Sequence, residues 1–114
     1  MSMRNESTEF GVISQLLTFG EEWDKYSDLL HVDLFTHEES RLIFSAIKRL
    51  ADKGELIDVV SVSRTLGDAM DIEDLLGIAG FHDSSPVSLP RNIRALSEMA
   101  MVRKLHKAAF QIAE

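Results

Sequence analysis

Apolar residues recur at helical spacing through most of the chain. Phe10, Ile13, Leu16 and Leu17 share one face of a helix predicted over 8–18, with Ser7 or Thr8 as its cap and Gly20 as its break. A short second helix is predicted over 21–31, with Trp23, Tyr26, Leu29 and Leu30 on one side. The clearest helix spans 36–53. Thr36 and Glu39 form a T-x-x-E capping box at its start, and Gly54 stands where a left-handed cap is expected. Leu42, Ile43, Ala46, Ile47, Leu50 and Ala51 make its buried stripe. The β-branched run from Ile57 to Ser63 would suit a strand, but nothing nearby could pair with it. It therefore reads as a helix over 59–67, capped by Asp58. Another short helix starts at Asp71, 80–88 form a loop, and a long helix runs from about residue 88 to the end with Pro90 in its first turn. The pattern predicts an all-α protein: a disordered tail over 1–7, a compact helical bundle over 8–88, and a long helix over 89–114.

The long helix changes its apolar face. At about 100° per residue, Ile93, Leu96 and Ala100 fall on one side. Met101, Val102, Leu105, Ala108, Ala109 and Ile112 fall on nearly the opposite side. One bundle cannot bury both stripes. The first should pack on the bundle, and the second on a further segment of chain or on another protomer. The pattern stops at Glu114 without a cap, as in a helix cut short.

Composition narrows the function. The 114 residues suit one small domain, 45% of them are apolar, and 27% charged argues against disorder only in combination with that apolar content. No apolar run approaches the ~18 residues of a membrane span, the first residues lack a secretory signal, and there is no cysteine for disulfide, thiolate or redox chemistry. A cytoplasmic protein without membrane contact is the expectation. The net charge is −7. Residues 1–88 hold 7 Lys/Arg against 17 Asp/Glu, a balance of −10, and residues 89–114 hold 5 against 2, a balance of +3. An acidic body repels a phosphate backbone, so DNA binding should be weak or absent.

Tests for catalytic and metal motifs fail. His37-Glu38-Glu39-Ser40-Arg41 is similar to a zincin helix, but its second ligand position is Arg41. The histidines, His31, His37, His82 and His106, have no ligand spacing. There is no phosphate-binding glycine loop, so no nucleotide hydrolysis is expected, and no nucleophile elbow. The carboxylates Asp24, Asp28, Asp33, Asp52, Asp58, Asp71 and Asp74 lie mostly beside helix ends, where capping accounts for them. Trp23 and Tyr26 read as core. Met99 and Met101 read equally as packing or as an adaptable contact surface. The residues thus point to neither an enzyme nor a cofactor- or metal-binding protein.

Three stretches together carry a family signature: Asp33–Ile47 with its D-L-F…R-L-I-F pattern, Gly54–Val62 with G-E-L-I-D-V-V-S-V, and Leu96–Leu105 with L-S-E-M-A-M-V-R-K-L. Their order and spacing across residues 8–114 resemble the N-terminal domain of DnaB-type replicative DNA helicases of bacteria and phages. Leu56 stands where that family usually has proline, and 67–80 is shorter than usual and lacks a common glycine pair. Both departures would suit a phage member.

The resemblance implies that the long helix is the first arm of a dimerising helical hairpin. It implies pairing of protomers into dimers, three of which form a collar on a hexameric motor ring, within the primosome. It implies docking of the helicase-binding domain of primase and of a helicase loader. ATP and magnesium would belong to a C-terminal motor domain that these residues do not include. The expected interface is Met101, Val102, Leu105, Ala108, Ala109 and Ile112, with Arg103, Lys104 and Lys107 facing a partner. Two other readings compete. One is a free-standing mimic or inhibitor that occupies primase or loader; the other is a helical nucleic-acid-binding module using the basic tail.

Overall fold

The computed structural model describes residues 2–81 and 86–113, with side chains over 7–81 and 86–109. Its α-helices are α1 (Ser2–Thr18), α2 (Trp23–Tyr26), α3 (Glu38–Asp52), α4 (Val59–Leu66), α5 (Ile72–Ala79) and α6 (Leu89–Ala113). Among the described residues there is no strand, as the all-α reading requires.

Helix α1 lies at the centre. Val12, Ile13, Ser14, Gln15, Leu16 and Leu17 are consecutive and all buried, so this stretch is enclosed around its whole circumference. Helices α6, α5 and α3 pack around it, and α4 packs on α3 and α5. Enclosure brings polar side chains inside, and they are matched there. Ser14 donates to the Ala79 carbonyl. Gln15 Nε2 donates to Ser88 Oγ at 2.9 Å, and Asn92 Nδ2 donates to Gln15 Oε1 at 3.3 Å. Unmatched, each such group would cost about 1–3 kcal/mol. These bonds fix α1 to the end of α5 and the start of α6.

Several boundaries differ from expectation. Helix α1 begins at Ser2, so its backbone takes in the segment expected as a tail. Residues 2–7 lack apolar spacing, which leaves periodicity silent, but they contain no glycine or proline to stop a helix. The single helix expected over 21–31 is instead α2 between two 3₁₀ turns, Gly20–Glu22 and Ser27–Leu29. Ser27 and Asp28 are residues whose side chains compete for the backbone and favour turns. Trp23 and Leu30 reach the core as expected, whereas Leu29 is exposed.

Elsewhere local chemistry decides. Asp58 accepts the Ser61 amide at 2.7 Å and starts α4, turning the β-branched run into a helix. At the end of α3 the Gly54 amide donates to the Ala51 carbonyl and the Glu55 amide to the Leu50 carbonyl, a Schellman closure with Gly54 at φ +70°. Gly20 is required for a different reason: a Cβ there would run into the Ile57 carbonyl oxygen. Phe35 is buried, with its ring centroid 5.1 Å from that of Phe44.

Candidate protein interaction surface

The face switch of α6 appears in three dimensions. Leu89, Ile93, Leu96 and Ala100 are buried against the bundle. One residue past Ala100 the apolar side chains turn to solvent: Met101 is 63% exposed, Val102 55% and Leu105 64%. Ala108 and Ala109 are exposed as well, and the Ile112 side chain lies outside the described residues. From residue 104 to 113 the helix projects about 15 Å along the direction set by its buried half. Exposed apolar side chains grouped on one face are a common feature of interaction surfaces.

The basic residues occupy a different face from the apolar stripe. Counting around α6, Arg103, Lys104 and Lys107 continue the line of Ile93, Leu96 and Ala100, on the bundle side. Arg103 is therefore half-buried and donates through Nη2 to the Asp33 carbonyl at 2.9 Å. The bond ties the projecting half of α6 to the 3₁₀ turn Val32–Leu34. Lys104 and Lys107 remain exposed. With Arg41, Thr36 and Asp33 the three line a notch between α6 and the entry to α3.

The residue that organises that entry is Glu9, which the sequence pattern does not single out. Thr36 and Glu39 do not form the expected capping box; α3 starts at Glu38 with no side-chain cap from its own N-terminal residue. The cap comes from α1. The Glu9 carboxylate, fully buried, accepts hydrogen bonds from the Thr36 amide at 2.9 Å, the Thr36 hydroxyl, and the His37 amide at 3.1 Å. His37 Nδ1 lies 3.3 Å from the same carboxylate. Burial alone pushes the Glu9 carboxyl up, but the bonds from Thr36 and His37 together outweigh it and hold it below its ordinary value. The only sequence signal was an acidic residue on an otherwise apolar helix face, one turn before Ile13.

Among the described residues no cluster of three or more histidine or acidic side chains could hold a metal ion, and no helix is long and apolar enough to cross a membrane. His82 lies outside the described residues. Trp23 packs on Phe44 at 5.7 Å between ring centroids, in the core rather than in a surface patch.

The family model of the DnaB-like helicase N-terminal domain matches residues 2–111. The chain belongs to this family. The DnaB fold is also seen in a solved structure, the N-terminal domain of DnaB helicase from Mycobacterium tuberculosis. It superposes with a TM-score of 0.84 at 18% identity, covering 94% of this chain and 80% of that one. No curated protein sequence matches. The chain is thus a DnaB-type helicase N-terminal domain, built as a helical bundle with a long C-terminal helix. Leu56 is 72% exposed, so the core makes little use of its side chain.

Proposed function

We propose that this domain assembles helicase protomers and serves as a docking platform for primase and the helicase loader in DNA replication, within the cytoplasm. The observation that carries the reading is the stripe of Met101, Val102 and Leu105, exposed on a projecting helix whose first half buries Leu89, Ile93, Leu96 and Ala100 in the core. Ala108, Ala109 and Ile112 extend it by sequence spacing. Burying apolar area is worth roughly 25 cal/mol per Å², so such a stripe favours pairing. In the complete assembly it would form the first arm of a hairpin that pairs protomers, with dimers joining into a collar. The motor domain would supply ATP and magnesium chemistry; this domain supplies geometry. A self-complementary contact uses the same patch from each protomer, which a single stripe on one helix satisfies.

The experiment is sedimentation of the parent chain beside Leu105→Asp, each then titrated with the helicase-binding domain of primase. The parent is expected to dimerise at high micromolar concentration and to bind primase, and the variant to remain monomeric. A strictly monomeric parent, or a variant that associates equally well, overturns the assignment of the stripe.

A further inference from the structure

The notch between α6 and the entry to α3 concentrates positive charge on an acidic body. Arg41, Arg103, Lys104 and Lys107 line it, with Asp33 as its one carboxylate. Arg41 Nη1 donates to the Phe35 carbonyl at 3.0 Å, and Arg103 Nη2 to the Asp33 carbonyl at 2.9 Å. These bonds fix both guanidinium groups without neutralising them, since a backbone carbonyl carries no net charge. Each guanidinium has five N–H donors, so donors remain for a partner. Fixing them beforehand lowers the entropy lost when that partner binds. Among the described residues, none of the four cations makes an ion pair within the chain. Two arginines are enough to tie α6 to the turn; Lys104 and Lys107 are exposed and add charge that the fold does not use.

We infer that the notch is a docking site for an acidic, extended segment of a different protein, whose carboxylates pair with Arg41, Arg103, Lys104 and Lys107. The inference rests on the reading of this domain as a docking platform, but not on the apolar stripe. The notch lies on the bundle side of α6 and the stripe on the other side, so pairing through the stripe leaves the notch open. Charge complementarity carries the choice of occupant, and spacing narrows it. Arg103 and Lys107 stand about 6 Å apart along the helix axis. Residues on one face of an extended chain repeat at about 7 Å. Glutamate or aspartate at every second position therefore brings successive carboxylates to successive cations, and an arginine fork takes a carboxylate in two parallel bonds. The described residues of a second copy supply no such segment: the acidic pairs Glu21 with Glu22, Glu38 with Glu39, and Glu73 with Asp74 all lie in helices or 3₁₀ turns. A nucleic acid would meet the notch too, but a long polyanion must also pass the rest of a body whose residues 1–88 balance at −10. A short segment brings to the surface only the charges that the notch neutralises.

The probe is a fluorescein-labelled octapeptide of alternating glutamate and alanine, titrated with the full chain and read by fluorescence anisotropy. Alternating glutamine and alanine is the neutral control. We expect the glutamate peptide to bind at least ~10-fold more tightly than the control, and to weaken at least ~10-fold from 0.05 M to 0.5 M salt, because exposed charges are screened over a shorter range. Lys104→Glu with Lys107→Glu weakens binding at least ~10-fold, and Lys104→Arg with Lys107→Arg keeps it. Lys25→Glu with Lys48→Glu changes the net charge by the same amount at exposed positions outside the notch, and leaves binding unchanged. A thermal melt of each variant verifies its folding. Equal binding of the two peptides overturns the inference. So does binding that survives the reversal at Lys104 and Lys107, or that falls equally with the reversal at Lys25 and Lys48. A labelled oligothymidine that binds more tightly than the peptide, and is lost in the same notch variant, overturns the choice of occupant. Self-association that needs Lys104 and Lys107, in a chain that does not bind the peptide, overturns it as well. The titration repeated in Leu105→Asp separates this site from the stripe: peptide binding is unchanged there, and a monomeric parent that still binds the peptide removes the stripe while keeping the notch.

Discussion

The bundle and the projecting end of α6 are made from similar residues and face opposite fates. Leucine, alanine and β-branched side chains fill both. Along α6, Leu89, Ile93 and Leu96 are at most 1% exposed, whereas past Ala100 Met101, Val102 and Leu105 are more than half exposed. A helix has no memory of which face it buried one turn earlier, so a rotation of the apolar stripe by half a turn assigns the two halves to different bodies. Mutations in the bundle should therefore be read in folding stability, and mutations in the projection in association.

The largest effect should come from Phe35→Ala. The ring is buried in the core against Phe44, and truncating a buried phenylalanine costs roughly 3–5 kcal/mol. That is a large share of a small domain's stability. Chemical denaturation should show it as a lower midpoint, and an unchanged midpoint would remove Phe35 from the core.

Next comes Glu9→Gln, expected to cost on the order of 2 kcal/mol at neutral pH, in the range of hydrogen bonds to a charged group. Its pH dependence is more diagnostic. In the folded protein the bonds from Thr36 and His37 hold the Glu9 pKa below the ordinary glutamate value of about 4.5. The carboxylate's contribution is therefore complete above that value and is lost as pH falls through the lowered folded one. The parent should lose melting temperature below pH 4.5 faster than the variant. Parallel curves would mean that Glu9 does not hold α3.

Asp58→Ala should cost about 1 kcal/mol, the usual loss for one helix cap, measured by the same denaturation. At the small end, Leu105→Asp should change the stability of the folded monomer by no more than about 0.5 kcal/mol, as exposed substitutions do. If it destabilises the monomer like a core change, the contrast between bundle and projection fails.

These effects also mark what could be read from the chain beforehand. Asp58 and Gly54 act on neighbours three residues away or fewer, so their roles were legible. The α6 face switch was legible because helical geometry alone sets it. Glu9 was not, because its partners lie 27 and 28 residues away. A local rule assigned Thr36 to a capping box, and a tertiary bond took its hydroxyl instead. Gln15 and Ser14 were missed for the same reason: a helix enclosed on all sides shows no polar face to announce its position. The bonding of Arg103 to Asp33, 70 residues apart, lies equally beyond any local pattern.

The Glu9 cap has a consequence for the order of folding. The entry to α3 acquires its cap only when α1 has docked, so α3 cannot be well closed at its N-terminal end in an early, local stage. Its opposite end is different: the Gly54 closure needs only residues 50–55 and can form at once. Helix α3 should therefore nucleate from its C-terminal end and complete its first turn late, in step with long-range collapse. Fraying at Glu38 and docking of α1 become one cooperative event, and amide exchange at the start of α3 would report the attachment of the central helix.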